Sequence, residues 1–346
     1  MRPELSALAQ RQSGLVLRRQ AKEAGYSERE LRSHLAVHGP WTVVRRGVYV
    51  ESATWQALDE VGRWRLRDRA VDLTTDVEHA MSVDSAARAH DLPFLHPARP
   101  LSHLVRPGVW GTRSEHGVKH HLSRVMPKPL VEVAGMTVTP LARTALDVAR
   151  EHGFEAGVAA CDGVLRRGVD RADLDRELGL MSCWPYITHA RAAVDHADPG
   201  AENVAESYAR LLVLELGLGR PTTQFPVRTA SGVVWCDLQL GNHVFEFDGR
   251  IKYLDPAHGG VADKGVEQVV WDEKKRQREV TAVGLGCSRI IWQDFWADGR
   301  VRALQRLRAE VEVSRDRFGP VLAPHLAQEA ARLRALRQAR IFRSAS

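Results

Sequence analysis

A short acidic stretch, VFEFD at residues 244–248, constrains the fold more than any other feature of the sequence. Apolar and acidic residues alternate there, and an alternation with a period of two is typical of a β-strand. Residues two apart share a face of a strand, so Glu246 and Asp248 would lie on the same side of a sheet. Two neighbouring carboxylates repel each other and resist burial unless a cation compensates their charge. The stretch therefore predicts a strand that carries a cation-binding site.

The segments around this strand predict a small sheet with helices. From residue 201 the patterns indicate a helix, a hairpin of TQFPVRT and VVWCDLQLG, the acidic strand, a loop, a charged helix and the buried strand CSRIIWQDF. Asp237 lies on the second hairpin strand, and antiparallel pairing through the LGN turn would bring it close to Glu246 and Asp248, depending on register. Three such carboxylates suit Mg²⁺ or Mn²⁺, which would polarise a phosphate and lower the pKa of an attacking water.

Positive charge is concentrated at the two ends of the chain. The formal net charge is +6, and residues 1–50 hold nine Arg and Lys against four Glu. Residues 313–346 hold seven Arg against two acids, mostly in the basic amphipathic segment AQEAARLRALRQARIFR. This distribution predicts a polyanionic partner such as DNA. The C-terminal helix could either dock on the protein core or lie along nucleic acid.

The first fifty residues predict a winged helix-turn-helix. Three short helices precede a β-hairpin formed by WTVVRRGVYV, and Ser27 with Glu30 forms a capping box at the start of the third helix. In that fold the third helix enters the major groove and the hairpin contacts the phosphate backbone. The residues expected to bind DNA are basic and lie on these two elements: Arg29, Arg32, Arg45 and Arg46. A helical module that binds protein, or a solvated basic face, is the alternative.

The patterns divide the chain into four segments and predict a combination of α+β and α/β folds. The expected segments are a winged helix-turn-helix at 1–52, a mixed middle domain at 53–196, an α/β core at 197–312 and a basic helical tail at 313–346. The Pro-Gly pair in DHADPGAEN, at residues 195–203, indicates the boundary before the acidic domain.

Several classes of site and compartment are not expected. The four cysteines have no C-x-x-C spacing and fit neither a zinc site nor a disulfide framework. His116, His120 and His121 have no acidic or cysteine partner at ligand spacing, so the sequence predicts no metal site there. The chain has no apolar run of 18 residues, and its N-terminus lacks a signal-peptide core. A cytoplasmic protein without a membrane partner is therefore expected.

Residues 200–296 resemble the PD-(D/E)XK nuclease superfamily, and within it the branch of very-short-patch-repair endonucleases. The resemblance is carried by Asp237 on one strand and by the E-x-D-G pattern of Glu246 to Gly249 on the next, followed by a charged helix and an apolar strand. It implies a restriction-endonuclease-like core that hydrolyses DNA phosphodiesters with Mg²⁺ or Mn²⁺. Asp237 and Glu246 would then be metal ligands, with Glu206 of the preceding helix as a further acid.

The sequence departs from the superfamily pattern at the lysine position. Asp248 stands there, and it would act as a supporting acid in catalysis. The branch usually has a histidine a few residues later, where this chain has Lys252. Lys252, or Lys274 of the following helix, would therefore supply the missing cation and stabilise charge in the reaction. Alternatively the core is a degenerate nuclease fold whose carboxylates pair with these lysines and with Arg276.

The N-terminal half resembles the AbiEi-type antitoxins of type IV toxin–antitoxin systems. The resemblance is carried by SGLVLRRQAKEAGYSERELRSHL and by WTVVRRGVYV, above all its Arg46 to Tyr49 segment. It implies a DNA-binding winged helix-turn-helix, a second antitoxin domain and a cognate toxin as partner. Chains that join this half to a nuclease-like half resemble an architecture common in actinobacteria. The sequence thus leaves two functions open: a metal-dependent DNA nuclease, or a non-catalytic transcription regulator of the antitoxin type.

Overall fold

The computed structural model describes residues 1–95, 97–108, 111–123, 126, 128–248 and 275–345, with side chains up to residue 340. Lys252 and Lys274 lie outside the described residues. The chain forms two compact units, Met1–Ala197 and Asp198–Ser346, and each contains helices and a β-sheet. A mixed helix-and-sheet class is therefore confirmed. The division between the units lies one residue after the boundary expected at 196/197.

The first unit begins with a three-stranded antiparallel sheet and three short helices. Its elements in chain order are α1 (Pro3–Arg11), β1 (Val16–Leu17), α2 (Arg18–Glu23), α3 (Glu28–His34), β2 (Trp41–Arg45) and β3 (Val48–Glu51). The strands are ordered β1-β3-β2. The expected capping box forms at the start of α3: Ser27 Oγ accepts from the Glu30 amide at 3.2 Å, and the Glu30 carboxylate accepts from the Ser27 amide at 2.7 Å.

A two-residue turn joins β2 and β3, as the alternating pattern predicts. Its second residue, Gly47, has a φ of +78°, a backbone conformation that glycine adopts without steric cost. The next helices are α4 (Ser52–Ala57) and α5 (Glu60–Asp72). Val48 of the hairpin packs in one apolar cluster with Leu66 of α5. The hydrophobic core therefore continues across the boundary expected at 52/53.

The rest of the first unit combines a six-stranded mixed sheet with helices. The strands are β4 (Ala80–Met81), β5 (Ser102–Pro107), β6 (Gly111–Glu115), β7 (Val118–Ser123), β8 (Val131–Val133) and β9 (Met136–Val138). Their order is β6-β7-β5-β4-β9-β8, and β5 pairs with β7 in parallel. The helices are α6 (Val83–Ala89), α7 (Leu141–His152), α8 (Phe154–Arg166), α9 (Arg171–Leu180) and α10 (Ile187–His196).

The second unit is built on a four-stranded sheet in the order β10-β11-β12-β13. Its elements are α11 (Val204–Glu215), β10 (Thr222–Thr229), β11 (Gly232–Leu240), β12 (His243–Phe247), α12 (275–282), β13 (Gly286–Ile290), α13 (Ala297–Phe318) and α14 (Pro324–Ala345). The first three strands pair antiparallel, as the sequence predicts, and β12 pairs with β13 in parallel. Phe225, Val244 and Val280 pack together in the core beside this sheet.

The last predicted strand, CSRIIWQDF, is shorter than expected. β13 ends at Ile290, and Trp292–Phe295 form a 3₁₀ helix. The Ile291 amide donates to the Asp294 carboxylate at 3.0 Å, so this amide does not extend the sheet. The expectation that Ile291 and Trp292 continue the strand is therefore wrong. The Asp294 carboxylate takes the place of a carbonyl of the neighbouring strand as the acceptor for the Ile291 amide.

Two helices of 22 residues, α13 and α14, end the chain. The boundary expected at 312/313 falls inside α13, which is one continuous helix. α14 docks on the sheet: Ala330 and Leu333 are buried, and Arg334 Nη2 donates to the Thr223 carbonyl at 3.0 Å. The basic tail therefore docks on the protein core, which is the first of the two alternatives expected from the sequence. No helix in the described part of the chain has both the length and the apolar character needed to cross a membrane.

A buried histidine connects three elements of the second unit. His243, on β12, is 2% exposed. Its Nδ1 lies 2.7 Å from Ser314 Oγ on α13, and its Nε2 lies 2.7 Å from Ser288 Oγ on β13. Burial lowers the pKa of His243 to about 4, because the charged imidazole would lose its hydration. The folded protein therefore holds this ring in its neutral form at neutral pH.

We predict that His243→Gln makes the free energy of unfolding less dependent on pH. An unfolded histidine binds a proton near pH 6.5, whereas folded His243 does so only at about pH 4. Protonation therefore favours the unfolded state as the pH falls below about 6.5, and this costs about 2 kcal/mol by about pH 5. Urea unfolding at about pH 7.5 and about pH 5 measures the effect.

The native protein and the control His325→Gln, which changes an exposed histidine, should lose that stability in full. His243→Gln should lose about 2 kcal/mol less between the two pH values. An equal loss in His243→Gln and in the native protein would contradict the prediction.

Candidate active site

The expected acidic cluster lies where β12 ends beside β11. Leu238 of β11 pairs with Phe245 of β12 in the antiparallel ladder. Asp237, which precedes Leu238, and Glu246, which follows Phe245, therefore lie opposite each other. Asp237 Oδ2 accepts a hydrogen bond from the Phe247 amide at 2.7 Å. The register of the hairpin therefore brings Asp237 to the acidic end of β12, as the sequence predicts for one of the two possible registers.

Glu246 is largely buried and is paired with an arginine. Arg276 Nη2, on α12, lies 2.9 Å from the Glu246 carboxylate. Burial raises the pKa of Glu246 to about 7; Arg276 opposes this shift, whereas the negative charge of Asp237 adds to it. The arginine therefore compensates only part of the cost of burying this carboxylate.

Asp248 is paired with a second arginine. Its amide donates to the Ile290 carbonyl at 2.8 Å, and its carboxylate lies 3.0 Å from Arg289 Nη1 on β13. The sequence predicts Lys252 or Lys274 as the cation beside these acids, with Arg276 as a partner in the alternative of a degenerate fold, and it does not single out Arg289. A signal was present, because Arg289 is the one charged residue among the apolar and small residues of CSRII.

Glu206, the acid expected on the helix, is buried at the start of α11. Asn203 caps the helix by accepting from the Glu206 amide at 3.1 Å and donates from Nδ2 to Glu206 Oε1 at 2.7 Å. Glu206 Oε2 accepts from the Glu202 amide at 2.7 Å and from Gln224 Nε2 at 3.2 Å. Burial raises the pKa of Glu206 to about 7, and the charge of Asp237 adds to the shift.

A cavity of about 840 Å³ brings acids and arginines to the same space. The acids that line it are Glu202, Glu206 and Asp237, and the arginines are Arg228, Arg276, Arg337 and Arg340. Arg337 lies over the Trp235 ring, with its guanidinium carbon 4.5 Å from the ring centre. No sequence pattern assigns Arg337 and Arg340 to this site, because their position depends on where α14 docks. The lining suits a phosphate-bearing ligand, since guanidinium groups bind phosphate oxygens.

The acids of the second unit do not form a preassembled metal site in this arrangement. Within the described ranges, three possible ligand atoms within 4.8 Å of one another occur at His103, His121 and Glu151 of the first unit, and not among these acids. Glu246 and Asp248 are paired with arginines instead. The charge that the sequence expected a metal ion and a lysine to compensate is therefore partly compensated by guanidinium groups.

The four arginines expected to bind DNA differ in exposure. Arg29 and Arg32, one turn apart on α3, are exposed, and so is Arg46 in the hairpin turn. Arg45 is half-buried and donates from Nη1 to Thr74 Oγ1 at 3.3 Å. Arg45 and Arg32 therefore each have a contact within the first unit, since Arg32 Nε donates to the Glu28 carbonyl at 3.4 Å, although Arg29, Arg32 and Arg46 are all exposed.

We predict that Asp237→Ala destabilises the protein more than Asp237→Asn does. Alanine removes the acceptor that lies 2.7 Å from the Phe247 amide, and an unsatisfied buried donor costs about 1–3 kcal/mol. Asparagine keeps an oxygen at this position and removes only the charge. Urea unfolding of both variants measures the difference, and equal free energies of unfolding would show that the Phe247 contact contributes nothing.

Comparison with known proteins identifies relatives for part of the chain. No protein-family model matches it. Two uncharacterized proteins of Mycobacterium tuberculosis, from strains H37Rv and CDC 1551, are each 32% identical to it over 134 residues. The match covers 38% of this chain and 48% of each relative, so the chain spans about half the length of the curated relatives it matches. The chain is thus similar to mycobacterial proteins whose names assign no activity.

Proposed function

We propose that the chain is a DNA-binding protein whose second unit hydrolyses DNA phosphodiesters with Mg²⁺ or Mn²⁺. The observation that carries the proposal is the cavity of the second unit, which acidic residues and four arginines line together. Carboxylate oxygens suit hard divalent cations, and guanidinium groups bind phosphate oxygens. Metal-dependent cleavage of a phosphodiester needs ligands for the cation, and guanidinium groups beside them help to bind and orient the phosphate.

The element order of the second unit supports a restriction-endonuclease-like core. Among the residues described on either side of the gap at 249–274, the order from α11 to β13 is a helix, three antiparallel strands, another helix and a parallel fourth strand. Asp237 and Glu246 lie on the two central strands, in keeping with the resemblance to the PD-(D/E)XK superfamily. Lys252 and Lys274 lie outside the described residues, so their role in stabilising charge stays a prediction.

The first unit supports DNA binding through a winged helix-turn-helix. Its helix, short strand, two helices and hairpin follow the element order of that fold. Arg29 and Arg32 on α3 and Arg46 in the turn are exposed and can reach phosphates or base edges. Glu28, an acid at the start of α3, is paired with two basic residues of α2 at 2.5 and 2.9 Å. Its negative charge is therefore compensated within the protein and does not oppose a polyanion.

Asp237 and Glu206 are the acids best placed to hold a divalent cation, because both line the cavity. Their carboxylate oxygens fit the preference of Mg²⁺ and Mn²⁺. When bound, such a cation polarises the scissile phosphate and lowers the pKa of an attacking water. Glu246 joins them only if its ion pair with Arg276 opens. The arginines of α14 would bind the phosphate backbone and orient it over the acids.

A non-catalytic regulator of the antitoxin type is the second candidate function. The observation in its favour is that Arg276 and Arg289 compensate Glu246 and Asp248 within the protein. Carboxylates that are paired in this way need no external cation. DNA binding by the first unit would then be the activity, and a cognate toxin would be the protein partner.

We predict that the native protein nicks supercoiled plasmid with Mg²⁺ or Mn²⁺ and that Asp237→Asn and Glu206→Gln reduce nicking to background. Both substitutions keep the size of the side chain and one acceptor oxygen, and they remove the charge that a cation requires. Gel electrophoresis of the plasmid measures the rate. Glu312→Gln, which changes an exposed acid of α13, is the matched control and should nick at the native rate.

The outcome separates the two candidate functions. Nicking that persists equally in Asp237→Asn and Glu206→Gln would come from a contaminating nuclease. If the native protein does not nick the plasmid with either metal ion, the catalytic proposal is wrong and the regulator is favoured.

We predict that Arg46→Ala weakens DNA binding and makes it less dependent on salt. Each phosphate contact releases about one counterion, so its loss lowers the slope of log K against log salt by about 1. Gel shifts on DNA from upstream of the gene, at several salt concentrations, measure both quantities. Arg176→Ala removes the same charge from an exposed position on α9 and should leave binding unchanged. Undiminished binding by Arg46→Ala would exclude the hairpin turn from the interface.

A further inference from the structure

A separate cluster of possible metal ligands lies in the first unit. His103 on β5, His121 on β7 and Glu151 on α7 each offer one ligand atom, and these three atoms lie within 4.8 Å of one another. Neither DNA binding by the first unit nor cleavage by the second unit involves these residues.

Parallel pairing of β5 and β7 brings the two histidines together. His103 is opposite Lys119, and His121 lies two residues further along β7, so both histidines lie on the same face of the sheet. His120 lies on the opposite face, where its Nδ1 is 3.3 Å from Arg106 Nε. Helix α7 contributes the third ligand to the face that carries the histidines. The fold therefore assembles the cluster from segments that are distant in sequence.

Two ring nitrogens of the cluster face each other directly. His103 Nδ1 lies 3.0 Å from His121 Nε2. Without a cation, one ring must donate an N–H to the other, whereas a metal ion between them accepts a lone pair from both. A tetrahedral Zn²⁺ with Zn–N bonds of about 2.0–2.1 Å separates two such nitrogens by about 3.3 Å. The distance between the two nitrogens therefore needs to increase by only a few tenths of an ångström, while the rings turn so that both lone pairs point at the ion.

A buried carboxylate lies behind the first histidine. Asp84, on α6, is fully buried, and its Oδ2 lies 3.8 Å from His103 Nε2. Among the described residues, this Oδ2 atom has no hydrogen-bond partner, while Oδ1 contacts His152 Nε2. A metal-bound histidine commonly directs its other N–H at a carboxylate, which fixes the ring and raises its basicity. At 3.8 Å the two atoms are too far apart for a hydrogen bond, so Asp84 would do this for His103 once the ring moves closer to it.

The cluster borders a cavity of about 390 Å³, which His121 and Glu151 line. Arg143 and Arg150 line the same cavity, and both stack on Trp184 at 4.4 and 4.7 Å from the ring centre. A metal ion held by three protein ligands would therefore have an open coordination position on the cavity side. Water fills such a position in sites that are not closed by a fourth protein ligand.

We propose that His103, His121 and Glu151 bind a transition-metal ion of the Zn²⁺ class. Two imidazoles and one carboxylate are ligands that Zn²⁺ and its neighbours Co²⁺ and Ni²⁺ prefer, whereas Mg²⁺ prefers oxygen ligands alone. The facing nitrogens, the nearby carboxylate and the buried Asp84 behind His103 together provide the ligands and the outer contact of such a site.

Lys119 competes with the metal ion for Glu151. Its ammonium contacts the Glu151 carboxylate, and its side chain also lines the cavity. A bound dication would repel the ammonium, so metal binding has to displace Lys119 toward the cavity. Lys119→Met removes this competition and should therefore tighten metal binding.

Metal titration of the EDTA-treated, tag-free full chain tests the site. Calorimetry with Zn²⁺ and visible absorption with Co²⁺ should show one equivalent bound to nitrogen ligands. We expect His121→Gln and Glu151→Gln to weaken binding by at least about tenfold, because even outer contacts of metal sites are worth about 10–100-fold. His120→Gln changes the adjacent histidine on the opposite face and should bind like the native protein. Glu312→Gln, which changes an exposed acid of α13 in the second unit, should also leave this titration unchanged.

Two results would overturn the proposal: no Zn²⁺ or Co²⁺ binding by the native chain, or equal weakening by His120→Gln and His121→Gln. Circular dichroism checks that each variant is folded. If His121→Gln is not folded, Lys119→Met decides the question, because tighter binding supports the site and unchanged or weaker binding contradicts it.

Discussion

The second unit depends on the compensation of carboxylate charge at the end of a central strand. Glu246 is largely buried on β12, and Arg276 lies 2.9 Å from its carboxylate. A buried charge that is left without a partner destabilises a fold strongly, so some cation must stay close to it. Because Arg276 belongs to the chain, its compensation of Glu246 needs no ligand. A metal ion in its place would make the stability of the fold depend on the concentration of that ion. The cavity lined by Asp237 and Glu206 has room for a metal ion in addition to the arginine.

The first unit meets the same constraint with different partners. Asp84 is fully buried beside His103 and His152, and because burial lowers the pKa of His103 to about 4, that imidazole compensates the carboxylate less than a guanidinium would. Histidine nitrogens lie near Asp84 and Glu151 there, although Asp68 of the same unit is paired with Arg88, much as the acids of the second unit are paired with arginines. Ligand type selects the cation, so the two units would prefer different ions: a Zn²⁺-like ion at His103 and His121, and a hard oxygen-bound ion at Asp237.

Features that depend on residues close together in sequence were predicted better than features that depend on residues far apart in sequence. The capping box of Ser27 and Glu30 and the hairpin strands of both units depend on residues a few positions apart, and the structure has them where the patterns indicate. The end of β13 was missed because one acceptor, Asp294, ends the strand from within its own turn. The histidine cluster was missed for a different reason. His103 and His121 are 18 positions apart and meet through a parallel strand pair, whose register no local pattern specifies.

The basic tail shows that charge composition does not specify where a helix docks. Composition indicated a polyanion partner, and a free arm along nucleic acid was one of the two alternatives. Instead α14 docks through Ala330 and Leu333, and Arg334 is held by the Thr223 carbonyl at 3.0 Å. Docking fixes the rotation of α14 about its axis, and with this rotation Arg337 and Arg340 line the cavity that contains Glu206 and Asp237. The guanidinium groups of the tail therefore lie near the acids of the second unit, where they can both compensate the negative charge of these acids and attract a phosphate. Apolar contacts of the helix, which a charge count does not register, thus determine what its arginines can bind.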